Sequence, residues 1–288
     1  MATFQPKHVL CPVDFSEHSA AALRVAGGVA KAFEAEVDVL HAQRLEAPVY
    51  FTAAQAQALK AQLRKSLPAA RAFVGKFAAK HLPEAVRRNV LLVEDDPVLA
   101  VLHAVKELPG AVIVMGTHGR TGLARIRLGS VTESVLRRVS APVFTVGPSI
   151  KPTRSLGSIL RILCPVNYGD SARVAFEHAA ALAARTRAEL IAVHVMEPGT
   201  EEGQTLEAAR QKLCDWAAPE VRHRCRFKEV VRWGHAAQQI VAEARESRAD
   251  LIIVGAHPRT LLGTILFGST TEFVIRNAAC PVLSVIHK

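Results

Sequence analysis

The sequence predicts an α/β protein of two tandem, doubly wound domains, each with a five-stranded parallel sheet. Three observations predict it: the chain is written twice, each copy alternates strand and helix, and a glycine-rich loop joins a strand to a helix in each. His8 to Val13, HVLCPV, returns as Arg161 to Val166, RILCPV, an offset of 153 residues. The run GSVTESVLRRVSAPVFTV from Gly129 returns as GSTTEFVIRNAACPVLSV from Gly268, an offset of 139. The shorter second offset means that the first copy carries extra residues, and these fall in an Ala- and Gln-rich helical segment from about Ala53 to His81. Repeats of this length are whole domains. The reading assigns residues 1–148 to the first domain, 149–158 to a linker and 159–288 to the second. The stretch Gly147 to Ser158 has the Gly, Pro and Ser content of a linker.

In the first copy, strand-like runs fall near residues 8–13, 36–41, 89–93, 111–115 and 142–146. The first is followed by Asp14-Phe15-Ser16-Glu17, where Ser16 suits a helix N-cap. The second ends in His41. Asp96 before Pro97 starts a third helix, because a short acceptor side chain followed by proline satisfies the first turn. The run Ala111 to Met115 is wholly apolar, as expected of a strand covered on both faces. Ser130 and Glu133 form an S-x-x-E capping box opening a fourth helix. The second copy repeats the order, with Asn167-Tyr168-Gly169-Asp170 after its first strand and His194 ending its second. Five consecutive βα units wind into one parallel sheet. The last strands, Val143 to Val146 and Val282 to Val285, read as apolar sheet edges. Pairing them about a two-fold axis covers both and makes an intramolecular pseudo-dimer.

Half of the 288 residues are hydrophobic and 5% are aromatic, so the cores are aliphatic. No apolar stretch reaches membrane-spanning length, and the first residues lack a signal-peptide core. Five cysteines without C-x-x-C spacing, with Cys11, Cys164 and Cys280 in or beside apolar strands, read as buried thiols of a reducing cytoplasm. The formal charge is +10, yet Lys60, Arg64, Lys65 and Arg71 fall at helical spacing on a polar face, with no interleaved aromatics to stack on bases. A solvated face fits better than a nucleic-acid site, and no membrane partner is expected. Enzyme signatures are absent: no G-K-[ST] follows the loop, and neither G-x-S-x-G nor H-E-x-x-H occurs. His103 lies on an apolar stripe, His41 and His194 end buried strands, and all three read as structural. His223-x-Cys225 supplies only two zinc ligands.

The loop that carries chemistry is Gly116 to Ser130, GTHGRTGLARIRLGS, or G-x2-G-x9-G-S. Glycines let backbone N–H groups approach an anion, and the helix that follows offers its positive end. Arg120, Arg125 and Arg127 add charge inside the loop. Open sheets bind ligands at the carboxyl ends of their strands, where strand order reverses. Asp14 would meet the loop there, either accepting from a ribose or adenine or simply capping the turn before Ser16.

With Val13-Asp14-Phe15-Ser16 and the G-x2-G-x9-G-[ST] signature, the chain resembles the universal stress protein family in its tandem form, over essentially its whole length. The resemblance implies an adenine nucleotide alpha hydrolase-like, Rossmann-like fold and a role as an ATP-binding regulator in stress adaptation. It places Pro12, Val13 and Asp14 by the adenosine, Ala42 in the adenine pocket, and Met115 and Gly116 near the ribose. Gly119, Gly129, Ser130, Val131 and Thr132 would surround the phosphates, with Ser16 and Arg120 nearby and Mg²⁺ as a companion ion. Slow hydrolysis is the most it implies, and a nucleotide-independent scaffold is the alternative. Two departures stand out. Asp95-Asp96 precedes the third helix, where Asp96 either caps it or, with Asp95, faces the phosphates and a cation. In the second half Pro258 replaces the second glycine and Asn167 replaces the aspartate. Proline removes a donor and fixes φ, so ATP binding there should be weak or absent. The protein partner is not legible, and a homodimer remains open beside the pseudo-dimer.

Overall fold

The structure, a computed structural model, describes residues 4–44, 50–119, 128–147, 150, 159–199, 205–217, 219–256, 259–261, 264–266 and 268–286. The first half runs β1 (His8–Pro12), α1 (Glu17–Phe33), β2 (Glu36–Ala42), α2 (Ala53–His81), β3 (Arg88–Val93), α3 (Pro97–Glu107), β4 (Val112–Gly116), α4 (Ser130–Arg138) and β5 (Val143–Val146). The second runs β6 (Arg161–Pro165), α5 (Asp170–Thr186), β7 (Glu189–Met196), α6 (Leu206–Trp216), α7 (Pro219–Arg224), β8 (Arg226–Trp233), α8 (Ala236–Glu246), β9 (Leu251–Ala256), β10 (Arg259–Leu261), β11 (Thr264–Leu266), α9 (Ser269–Asn277) and β12 (Val282–Ile286). The predicted strands of the first copy and the long Ala53–His81 helix fall where the sequence placed them.

Each half forms a five-stranded parallel sheet, ordered β3-β2-β1-β4-β5 in the first and β12-β9-β6-β7-β8 in the second. The two join through one antiparallel pairing of β5 with β12, Val282 opposite Thr145 and Leu283 opposite Phe144, giving a single ten-stranded sheet. The expected pairing of final strands is thus observed, and Thr145 Oγ1 donates to the Val282 carbonyl across it at 3.2 Å. Helices cover both faces. One core holds Val9, Leu23, Phe144, Phe176 and Leu283; the other holds Leu10, Ile113, Leu136, Ile252 and Val282. Both cores draw on both halves, so the join is packed as an interior. Burial on both faces is what permits the near-continuous apolar runs of β4 and β9.

Two local expectations are corrected. Ser130 is not the N-cap of α4: Gly129 holds that position with extended backbone (φ −60°, ψ 142°), and no side chain caps the helix. Glu133 instead accepts from Arg137 one turn on, at 2.8 Å, which holds it away from the helix start. The glycine loop of the second half, read as a loop throughout, contains the short antiparallel ribbon β10–β11. The linker residues 148–149 and 151–158 lie outside the described residues.

Candidate functional site

Strand order reverses between β1 and β4, which lie side by side (Val9 opposite Val112, Leu10 opposite Ile113), each with its next strand in sequence on its far side. A cavity of about 360 Å³ opens there, at the carboxyl ends of these strands. Its wall includes Pro12, Val13, Asp14, Ala42, Met115, Gly116, Gly119, Gly129, Ser130, Val131 and Thr132. Leu40, His41, Pro97 and Met115 give it an apolar side, while the start of α4 gives it a side of backbone amides. Asp14 is the one carboxylate on the wall among the described residues.

The turn that presents Asp14 is built by its neighbours. Asp14 Oδ1 accepts from the Ser16 amide at 3.1 Å and from its hydroxyl at 2.6 Å, while Ser16 Oγ accepts from Ser19 N at 3.2 Å to cap α1. Ser16 therefore stands behind Asp14, one hydrogen bond away from the cavity wall. Of the two alternatives for Asp14, turn closing is observed, through Oδ1, while Oδ2 lies toward Gly119. Between them Phe15 adopts a left-handed backbone, φ 66°. That conformation costs about 1–2 kcal/mol in a non-glycine residue. Its ring packs on His41 (centroids 4.6 Å apart), Phe73 (4.9 Å) and Phe77 (5.3 Å), contacts that offset the cost.

His41 Nδ1 lies 2.8 Å from the Val13 carbonyl. A carbonyl only accepts, so Nδ1 carries the proton and the ring is a structural brace, as expected. His194 makes the same bond to the Val166 carbonyl at 2.8 Å, also as expected. Asp96 caps α3, accepting from Val98 N at 2.9 Å and Leu99 N at 3.3 Å, and Asp95 accepts from Asp96 N at 2.7 Å and lies 3.5 Å from His103 Nδ1. Capping is thus the observed role of Asp96. No group of three or more His, Cys, Asp or Glu side chains converges as a metal site among the described residues.

Glycine is required where β4 meets α1: a Cβ on Gly116 would lie 3.0–3.1 Å from His18 Cβ and backbone. A Cβ on Gly119 would lie 3.0 Å from Asp14 Oδ2, so loop and carboxylate touch with no room to spare. Thr132 Oγ1 donates to the Gly116 carbonyl at 2.7 Å and ties α4 to the end of β4. Arg120, Arg125 and Arg127 lie outside the described residues. The sequence reading missed Ser19, Leu40, His41, Pro97 and His118 as lining residues; His41 directly precedes the assigned Ala42 and His118 the assigned Gly119, and that adjacency was the available signal.

The second half has a cavity of about 500 Å³ at the corresponding place, with Asn167, Ser171, His194, Glu197, Gly255 and Ser269 on its wall. Asn167 Oδ1 accepts from Gly169 N at 3.2 Å, taking over the turn-closing task of Asp14, and Tyr168 repeats the left-handed backbone of Phe15 at φ 64°. Glu197 accepts from Ala236 N at 2.9 Å and so places a carboxylate at the α8 start. Pro258 lies outside the described residues.

Comparison with known proteins gives the same architecture. Residues 6–147 and 159–285 each match the family model described as "Universal stress protein family". A universal stress protein of Mycolicibacterium smegmatis is 29% identical over 189 residues, 60% of this chain and 61% of that protein, so the match spans about three-fifths of that relative's length. One from Methanocaldococcus jannaschii is 32% identical over 137 residues, 43% of this chain and 81% of that protein. The crystal structure of a universal stress protein from Archaeoglobus fulgidus superposes with a TM-score of 0.71 at 23% identity, covering 99% of this chain and 100% of that one, a likeness of fold.

Proposed function

Taking as premise that the chain belongs to the universal stress protein family, with two copies of its domain, we propose that its first half binds ATP and that occupancy sets the protein's affinity for a partner in stress adaptation. The observation that carries this reading is the uncapped start of α4 beside a cavity with one apolar side and one carboxylate. Pro12, Val13, Leu40, Ala42 and Met115 suit a flat base, and Asp14 Oδ2 suits a ribose hydroxyl. Gly119, Gly129 and Ser130 offer amides to the phosphates, with Arg120 adding charge. The missing Cβ atoms of Gly116 and Gly119 let β4 lie against α1 at His18 and let the loop backbone come up to Asp14 Oδ2. Asp95 and Asp96 are spent on capping and on each other, so Mg²⁺ would arrive on the nucleotide's own oxygens.

The chain acts by binding and not by fast turnover. In support, Asp14 Oδ1 and Asp96 are engaged in closing turns among the described residues, and His41 is braced on the Val13 carbonyl as part of the turn that presents Asp14. Phosphoryl transfer needs an oriented nucleophile as well as a phosphate cradle. ATP that prefers one of two conformations shifts their populations by its differential affinity. Calorimetric titration of the full chain with ATP and Mg²⁺, paired with a steady-state phosphate-release assay, tests both parts. Saturable binding with turnover well below one per second is expected. No binding overturns the nucleotide reading, and turnover of several per second overturns the regulatory one.

A further inference from the structure

Helix α2 reaches beyond the domain that roots it. It touches α1, β2 and β3, and its buried side chains are Val74 and Ala78, near its end. None of the described side chains from Ala53 to Phe73 is buried. The apolar stripe that seats Val74, Phe77 and Ala78 on the core nevertheless continues outward at helical spacing through Ala70, Leu67, Leu63 and Leu59. Leu67 is 43% exposed and Phe73 58%. The same helix carries six Lys and Arg and no Asp or Glu in 29 residues. A tenth of the chain thus supplies six of its ten excess positive charges. Arg64 and Arg71 flank the stripe and are exposed. Solvation alone explains the charges, but not the exposed Leu67 and half-buried Leu63 and Leu59 that continue the core-facing stripe beyond the core.

We infer that the outer two-thirds of α2 is a docking surface for a protein partner, namely a helical segment with its own apolar stripe flanked by Asp and Glu. The occupant follows from charge. A second copy of this chain would set two such helices together, twelve cations with no counter-charge, and like charges at short range oppose that pairing. An acidic amphipathic helix meets both the stripe and its basic flanks, the helix-on-helix arrangement with complementary edges. Pro68 lies within this outer part, close to its junction with the rooted end, and removes one helix hydrogen bond there.

The test uses the full-length chain and a synthetic peptide with Leu at every third or fourth position and Glu elsewhere, against a peptide of the same composition in scrambled order. Phosphatidylserine vesicles and a duplex DNA oligonucleotide serve as competing polyanions. Expected is binding of the ordered peptide over the scrambled one, weakened about tenfold or more by Leu59→Gln with Leu63→Gln, as when apolar anchors are lost from an interface centre. Arg64→Glu with Arg71→Glu should weaken it as well, and a peptide with Lys in place of Glu should restore binding to that variant. The second pair alters only exposed side chains, so it decides the matter even where the leucine pair unfolds. Equal binding of the scrambled peptide, tighter binding of vesicles or DNA, self-association through these leucines, or indifference to charge reversal would each overturn the proposal.

Discussion

Gly119→Val tests the site where it is tightest. The glycine backbone lies outside the left-handed region, so valine is not penalised by its φ. The cost arises from contact: the first added carbon would lie 3.0 Å from Asp14 Oδ2, and two methyl groups beyond it press further. Ser16 holds the opposite oxygen, Oδ1, at 2.6 Å and 3.1 Å, so Asp14 yields by turning Oδ2 away and not by leaving its turn. The loss is one hydrogen bond between a charged acceptor and the ligand, about 1.5–3 kcal/mol. At about 1.4 kcal/mol per decade, the Kd for ATP should rise roughly 10- to 100-fold. Calorimetric titration measures it, with circular dichroism and melting temperature as controls. Gly119→Ala should show a smaller effect, since Oδ2 has only one carbon to avoid. Affinity within about twofold of the wild type for the valine variant, with an intact melting curve, would refute the juxtaposition of Asp14 and the loop as the binding element.

Other outcomes follow from the same geometry. Native mass spectrometry should find one ATP per chain, because Asn167 replaces Asp14 and Glu197 brings a carboxylate into the second cavity; two equivalent nucleotides would show that these changes are harmless. Gly255→Ala should destabilise the second half by about 1–3 kcal/mol or more, since its Cβ would lie 2.2 Å from the Ser171 carbonyl oxygen, a backbone atom that cannot yield cheaply. Gly75→Ala, in α2 with nothing within 4 Å of the new carbon, should instead stabilise by about 0.5–1 kcal/mol; urea unfolding separates the two signs. Burial pushes the thiols of Cys11 and Cys164 far up and that of Cys280 up to about 12, so at pH 8 a thiol reagent should modify these three only after unfolding, and Cys214 first. Because folding raises these values above the ordinary 9.0, their contribution to stability is whole below pH 9 and is lost as pH climbs from there toward the folded values.

Much of this was legible because the fold depends on periodicity and the chain repeats itself. Buried parallel strands are apolar on both faces, so β1, β4 and their copies stand out, and the mismatch of offsets alone located the extra length of α2. Chemistry at single residues was less legible. S-x-x-E reads the same whether the cap is Ser130 or the glycine before it, since sequence does not say which residue turns extended. Nothing marks Phe15 for a left-handed backbone, because the aromatic contacts that sustain it come from His41 and from α2, over twenty residues away in sequence. The ribbon β10–β11 was missed because three-residue strands are too short to show a period.

The antiparallel seam between β5 and β12 has a further consequence. Within each half the strands run one way, so across the seam the two sets of carboxyl ends point in opposite directions, and the two cavities open at opposite rims of the sheet. They share no wall residue. In a dimer of identical subunits any change to one rim is copied to the other, and both functions drift together or not at all. Joined in one polypeptide, the two rims are inherited separately. Asn167 stands at one rim where Asp14 stands at the other, so a ligand at either end meets a different chemistry.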